Sequence, residues 1–285
     1  VETFGNNASA WTKTFCVFGL VAVAAFLINF FGTKERVKPA AAGEDGKVED
    51  VPFKEGIKAL FKNKYWIMIT LTLVFIFIIY SLNGGAAVYY AKVVLKNPNL
   101  VGPMNLVASI VQIVAMFFTA FIIKKIGKRN MLILGAIIYG LGFAMFAFVG
   151  TSYIGIMIAS GLKGVGNAGI SSCMFAIVSD TIEYGEWKTG YRTEGLINSA
   201  SSFGFKVGNG LGSAMLGWIL ALGGYAEKAV AQSASALTAI NALFIYIPVL
   251  AAVLIVVIMC FYKLDKEYDG IVTDLKEGRG VADND

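Results

Sequence analysis

Ser199, Ser202, Lys206, Asn209 and Ser213 fall at offsets 0, +3, +7, +10 and +14, which on an α-helix is one narrow face. They offer a fixed positive charge among amides and hydroxyls. That set can hold an anion or a polyhydroxylated solute, but it cannot make or break covalent bonds. A second ladder, Ser160, Lys163, Asn167 and Ser171, runs at 0, +3, +7 and +11, and a third, Asn105, Ser109 and Gln112, at 0, +4 and +7. Tyr80, Ser81 and Asn83 stand just before Gly84-Gly85. All lie inside long apolar runs, where polar side chains are expensive and normally face a bundle interior or an aqueous cavity. Taken singly, each serine reads as packing or as bonding its own backbone. Lys206 reads as functional, because it sits about 16 Å along the helix from Gly195, too deep to reach water easily. Lys163 reads either as a site residue or as a lysine extended to the outer interface.

The elements that must carry these ladders are membrane helices. The chain has 285 residues, is 57% hydrophobic and only 15% charged, against roughly 25% charged in soluble globular domains. Seven apolar stretches, 12–32, 65–95, 101–123, 131–149, 153–179, 196–222 and 237–262, are long enough to cross a bilayer. A β-barrel would show alternating segments about 10 residues long instead. The expected fold is therefore an all-α membrane protein with seven transmembrane helices and the lipid bilayer as its solvent. The Gly84-Gly85 pair predicts a bend in the second span. Spans 12–32, 131–149 and 237–262 lack mid-span polarity and read as peripheral helices around a central pathway. Gly204, Gly208 and Gly212 repeat every four residues on a face of the 196–222 span separate from its polar stripe, a pattern for close helix contact.

Lysine and arginine set the expected topology. Loop 33–64 holds eight, loop 124–130 four, loop 180–195 two and the tail 263–285 four, whereas the intervening loops hold only Lys96 and Lys228. The positive-inside rule then places the N-terminus outside and the C-terminus in the cytoplasm. Loop 33–64 divides into an Ala-, Gly- and acid-rich linker, Pro39 to Pro52, and an amphipathic helix. Phe53, Ile57, Leu60 and Phe61 make the apolar face of that helix. The domain boundaries follow: 1–32 one helix, 33–64 a cytoplasmic linker, 65–262 a six-helix bundle, 263–285 a cytoplasmic tail.

Much chemistry is excluded. The chain has no histidine, and Cys16, Cys173 and Cys260 are far apart, so no metal-ligand cluster or thiol pair forms. No nucleophile–base pair or carboxylate dyad falls inside the spans. An enzyme, a metal cofactor and a nucleic-acid partner are not expected.

The stretch after the 153–179 span reads Asp180-x-x-Glu183-Tyr184-Gly185-Glu186-Trp187-Lys188-x-Gly190-x-Arg192-x-Glu194-Gly195, followed by Phe205-Lys206-x-Gly208. It resembles the glycoside–pentoside–hexuronide:cation symporter family, the melibiose-permease group of the major facilitator superfamily. Weaker similarity extends to Gly85–Tyr90 and to the basic turn Lys124–Arg129. The resemblance covers nearly the whole chain, as helices six to twelve of a twelve-helix transporter. The chain then becomes the C-terminal six-helix half plus the preceding helix, and the missing N-terminal half becomes its partner. The resemblance implies sugar or glycoside uptake coupled to Na⁺ or H⁺, with no other cofactor, in a bacterial inner membrane. It implies a role for Lys206 beside the sugar and cation sites. It makes Asp180, Glu183, Arg192 and Glu194 a cytoplasmic gate held by ion pairs. Ser171 stands where melibiose-transporting members carry a tryptophan, and Ser202 where they carry a threonine, so the sugar is left open. Asn83, Gln112, Lys163, Asn167, Ser171, Ser199, Ser202, Lys206 and Asn209 are the expected solute-binding residues. An efflux carrier for a non-sugar solute and a non-transporting scaffold are the alternatives.

Overall fold

The computed structural model describes residues 8–33, 53–191, 194–227, 229 and 231–278. Among them every regular element is helical: α1 (Ala8–Gly32), α2 (Phe53–Lys62), α3 (Lys64–Tyr89), α4 (Val101–Ile126), α5 (Lys128–Val149), α6 (Tyr153–Thr189), α7 (Glu194–Leu222), α8 (Ala234–Asn241), α9 (Ile247–Phe261) and α10 (Leu264–Lys276). Two π-helical turns, Tyr90–Val94 and Ala242–Tyr246, extend α3 and join α8 to α9. The chain divides into two units, residues 1–50 and 51–285. The first contains α1, a 25-residue apolar helix, and the second contains α2–α10. The Pro39–Pro52 linker lies outside the described residues.

Six stretches are long and apolar enough to cross a membrane among the described residues: Ser9–Gly32, Lys64–Val94, Pro98–Ile126, Lys128–Val149, Tyr153–Thr189 and Ala234–Phe261. The chain is a multi-pass membrane protein. The seventh expected span, α7, is a 29-residue helix, but its lysine, asparagines, serines and glycines dilute its apolarity below that of the other six.

In the second unit α4 packs on α6, α6 on α5, α5 on α9, α9 on α3 and α3 on α7. Small residues permit these contacts. Gly135 of α5 meets α6 so closely that a Cβ there would lie 2.8 Å from the Ile170 nitrogen, and a Cβ on Gly166 would overlap the Tyr139 backbone. The expected glycine ladder of α7 is used in the same way. A Cβ on Gly208 would sit 2.7 Å from both Phe77 Cβ and the Val74 oxygen of α3, while Gly204 and Gly212 face Thr70 and Ser81. The apolar core gathers Ile69, Leu73, Ile76, Ile79 and Leu82 of α3 with Phe143, Phe146, Phe244, Ile255 and Met259. The π turns meet there too, Tyr90 stacking on Phe244 with ring centroids 4.4 Å apart.

The structure corrects several expectations. Helix α3 runs straight through Gly84-Gly85, because Leu216 of α7 fills the space beside Gly85. The irregularity comes later, at Tyr90–Val94. The 180–195 stretch is not a turn. Nothing before Gly190 stops α6, which continues for 37 residues to Thr189 and ends where Gly190 takes φ 71°. At the α-helical rise this is about 55 Å, so one end must project beyond a hydrocarbon core of about 30 Å. The tail contains α10. The expected apolar face of α2 is used only partly: Leu60 enters the core, while Phe61 stays exposed and meets Trp66 edge-on. The polarity rule for peripheral helices does not hold within this unit. The polar-faced α4 is only 6% buried over its most apolar window, against 44% for the apolar α5 and for the α8–α9 span, because α4 stands at one end of the order of neighbours.

Candidate functional site

The polar ladders of α3, α4 and α6 converge. Tyr80 of α3 donates to Asn167 Oδ1 of α6 at 2.5 Å, and Asn167 Nδ2 donates to Gln112 Oε1 of α4 at 3.0 Å. Ser171, one turn along α6, lies 3.4 Å from the Tyr80 hydroxyl and 3.5 Å from Asn167 Oδ1. One turn the other way, Lys163 Nζ donates to Asn83 Oδ1 of α3 at 2.5 Å. These residues are brought together because α4 approaches α6 at Gly164, where a Cβ would collide with the Ala108 carbonyl. Thr119 and Ser172, 2.8 Å apart, tie the same two helices further along.

A cavity of about 170 Å³ opens beside this network, lined by Asn83, Asn105, Ala108, Ser109, Gln112, Tyr139, Lys163, Gly164 and Asn167. Asn105 and Ser109 are exposed at its rim. Its walls are amides, hydroxyls and one ammonium, which can bond a polyhydroxylated solute from several directions. Of the expected solute-binding residues, Asn83, Gln112, Lys163 and Asn167 line it and Ser171 adjoins it. Lys163 does not extend to an interface. Its side chain is buried at 4% exposure, with Nζ 4.4 Å from the Phe143 ring centroid, 5.1 Å from Phe244 and 5.4 Å from Phe146.

Sequence reasoning missed two lining contributors. Tyr139 was assigned to an apolar helix, yet it reaches the cavity because Gly166 lets α5 approach α6. Tyr80 was noticed but not placed in the site; its signal was the spacing to Asn83, three residues on along the same helix.

The α7 stripe is not part of this cavity. Ser199, Ser202, Lys206, Asn209 and Ser213 are exposed on the face opposite the glycine ladder. Ser202 and Asn209 donate to their own helix at Asn198 and Phe205. Ser81 of α3 reaches the stripe, donating to the Asn209 carbonyl at 3.2 Å and lying 3.1 Å from Ser213 Oγ. Lys206 has no hydrogen-bond or ion-pair partner among the described residues.

A second cluster occupies the end of the bundle that carries Lys128. The expected gate residue Asp180 is buried, and Lys128 Nζ lies 2.6 Å from both of its oxygens. Asp265 of α10 accepts from the Arg129 backbone at 2.8 Å, capping α5. The Arg129 guanidinium donates to the Met259 and Cys260 carbonyls at 2.7 and 2.6 Å, capping α9. Tyr65 donates to Glu267 and Trp187 to Asp274, so α10 is held against α3 and α6. Asn63 joins the same end, accepting from the Trp66 nitrogen and donating to the Thr181 carbonyl. Burial, then the nearby carboxylates of Glu183 and Asp180, pushes the Tyr268 phenol up to about 12. Glu183 keeps one buried oxygen without a hydrogen-bond partner among the described residues. Glu194 opens α7, and Arg192 lies outside the described residues. The charges expected to pair along the 180–194 stretch are thus met, in the part described, by Lys128.

Helices that seal their outer surfaces with apolar side chains while turning amides and a lysine onto an internal cavity define a solute carrier of the membrane, with no arrangement for bond chemistry. The chain belongs to the major facilitator sugar-transport family, whose description "MFS/sugar transport protein" matches residues 1–266. It is similar to the isoprimeverose transporter of Lactiplantibacillus pentosus, 30% identical over 279 residues, covering 95% of this chain and 56% of that protein. A protein of Escherichia coli strain K12, provisionally named a 2,3-dihydroxypropane-1-sulfonate exporter, is 30% identical over 284 residues, covering 98% of this chain and 60% of that protein. Another from the same strain, provisionally named a glycoside/cation symporter, is 24% identical over 279 residues, covering 97% of this chain and 59% of that protein. The chain spans somewhat over half the length of these relatives.

Proposed function

We propose that this chain is the C-terminal six-helix half, with the preceding helix, of a sugar or glycoside symporter coupled to Na⁺ or H⁺. Its partner is an N-terminal half, and its setting a bacterial inner membrane with the N-terminus outside and the C-terminus cytoplasmic. The observation that carries the reading is the hydrogen-bonded line Tyr80–Asn167–Gln112 beside a polar cavity within an apolar bundle. The cavity supplies hydroxyl partners. The exposed α7 stripe, with Lys206 at its centre, supplies the surface that faces the N-terminal half across the solute pathway. In this reading Lys206 is the electrostatic partner of carboxylates on that half, which exchange it for the coupling cation. The difference in affinity between the two access states drives the switch. The Lys128–Asp180 pair and α10 close the cytoplasmic side.

The test replaces Lys206 with Val in the chain carried together with its N-terminal half and measures glycoside uptake under an imposed cation gradient. Uptake falls at least about tenfold, the loss of roughly 1.4 kcal/mol of coupling. Uptake of normal rate and normal cation dependence would defeat the reading. The relative named for sulfonate export favours a second reading, an efflux carrier. That reading is separated by whether an outward or an inward solute gradient is built in the same vesicles.

A further inference from the structure

One ammonium group in the bundle lacks a counter-ion. Lys163 belongs to no ion pair among the described residues, although it is 4% exposed on a helix surrounded by apolar neighbours. An ammonium has three N–H donors, and Lys163 directs one of them to Asn83 Oδ1. The rings of Phe143, Phe146 and Phe244 attract the charge from behind but offer no strong hydrogen-bond acceptor. A buried charge without a counter-ion is costly, and the cost is recovered when an anion arrives. The cavity gives that anion a place. Lys163 forms part of its wall, the remaining polar lining is amide and hydroxyl, and no carboxylate stands in it to repel a negative group. Its volume of about 170 Å³ equals roughly five to six waters at about 30 Å³ each, room for the acid-bearing end of one sugar ring.

From this geometry we propose that Lys163 recognises an anionic group on the solute, and that the solute is a polyhydroxylated acid, a carboxylate or sulfonate on a sugar-like body. The inference rests on the transporter reading above and narrows its substrate class. The two free N–H groups of Lys163 make charge-assisted bonds to the acid, while Asn167 and Gln112 bond hydroxyls. A neutral sugar satisfies the amides but leaves the ammonium as it was. The difference corresponds to a preference of about 10- to 100-fold.

The experiment uses the full-length protein in proteoliposomes. It compares binding and uptake of methyl glucuronide and methyl sulfoquinovoside, which bear an acid at C6, with methyl glucoside, which bears a hydroxyl there. At least one acid binds tenfold or more tightly than the glucoside. In Lys163→Gln that preference disappears while glucoside affinity changes less than threefold. Glucoside bound as tightly as both acids by the wild-type protein overturns the proposal and leaves the sugar-transport reading standing. Binding of none of the three overturns it and removes support from that reading as well. The wild-type comparison decides even where the variant fails to accumulate.

Discussion

The cavity between α3, α4 and α6 and the stripe on α7 are built from the same residue types at the same helical spacing, yet only the first is knit together. Asn167 bonds two other helices, whereas Asn209 bonds its own turn. Lys163 is enclosed by an asparagine and three aromatic rings, whereas Lys206 is exposed. The difference lies in the neighbours. Gly164 and Gly166 bring α4 and α5 against α6 on either side of its ladder, while the glycines of α7 sit on the face away from its stripe. A polar face becomes a network where small residues beside it admit another helix, and stays an open surface where they lie behind it.

Substitution of paired positions tests this contrast most sharply. Asn167→Leu strands the Tyr80 hydroxyl and the Gln112 carbonyl, and each buried unsatisfied group costs about 1–3 kcal/mol. Thermal unfolding of the purified protein in detergent shows a loss of about 2–4 kcal/mol, while Asn209→Leu stays within about 0.5 kcal/mol, as for a surface site. Equal losses would erase the distinction. Next in size is Gly208→Leu, which forces α7 away from Phe77 and Val74 at a cost of about 1–3 kcal/mol. Cysteine pairs bridging α3 and α7 then cross-link more slowly, while pairs bridging α5 and α6 are unaffected. Unchanged α3–α7 cross-linking would show that the glycine ladder is not what seats the stripe.

The Lys128 cluster supplies a third, charged case. Lys128→Ala leaves the buried Asp180 carboxylate without its cation and lowers stability by about 1–3 kcal/mol. Asp180→Asn in the same background restores part of it, since the uncompensated charge is gone. No recovery in the double variant would mean that the pair matters through packing alone. The smallest effect is a titration. The Tyr268 phenol is raised from 10.0 to about 12, so folding favours its protonated form. That contribution is unchanged below pH 10 and is lost as pH climbs from 10 toward 12. In ultraviolet absorbance, subtracting Tyr268→Phe from the unsubstituted protein gives a phenolate signal centred above pH 11. A midpoint near 10 would show that α10 does not cover the ring.

The ladders themselves were legible because the 3.6-residue period writes a helix face directly into the chain, and Lys163, Asn167 and Ser171 share a face as their spacing requires. What the period does not report is which other helix stands opposite. Tyr139 looked like one aromatic among many in an apolar run, and only the close approach at Gly166 turns it into a cavity wall. The partner of Asp180 was sought in the same acidic-basic stretch, yet it is Lys128, 52 residues away. A pairing of that range is decided by the order of helices in space. The tail hid its role for a similar reason. Leu264 and Ile271, seven residues apart and both buried, mark an apolar face on α10, but the carboxylates that dock it, Asp265, Glu267 and Asp274, read along the chain as ordinary solvated charge.

The contact between Tyr90 and Phe244 carries a mechanical consequence. Each ring sits in a π-helical turn, where one extra residue is wound into the ladder. Returning either turn to α-helical pitch swings everything beyond it by about 100° around the axis. Because the rings lie against each other, neither strand of the chain can unwind its spare residue while the other keeps its own without tearing the stack apart. The ends of α3 and of the last apolar span are therefore geared like meshed cogs, free to twist together and locked against twisting alone.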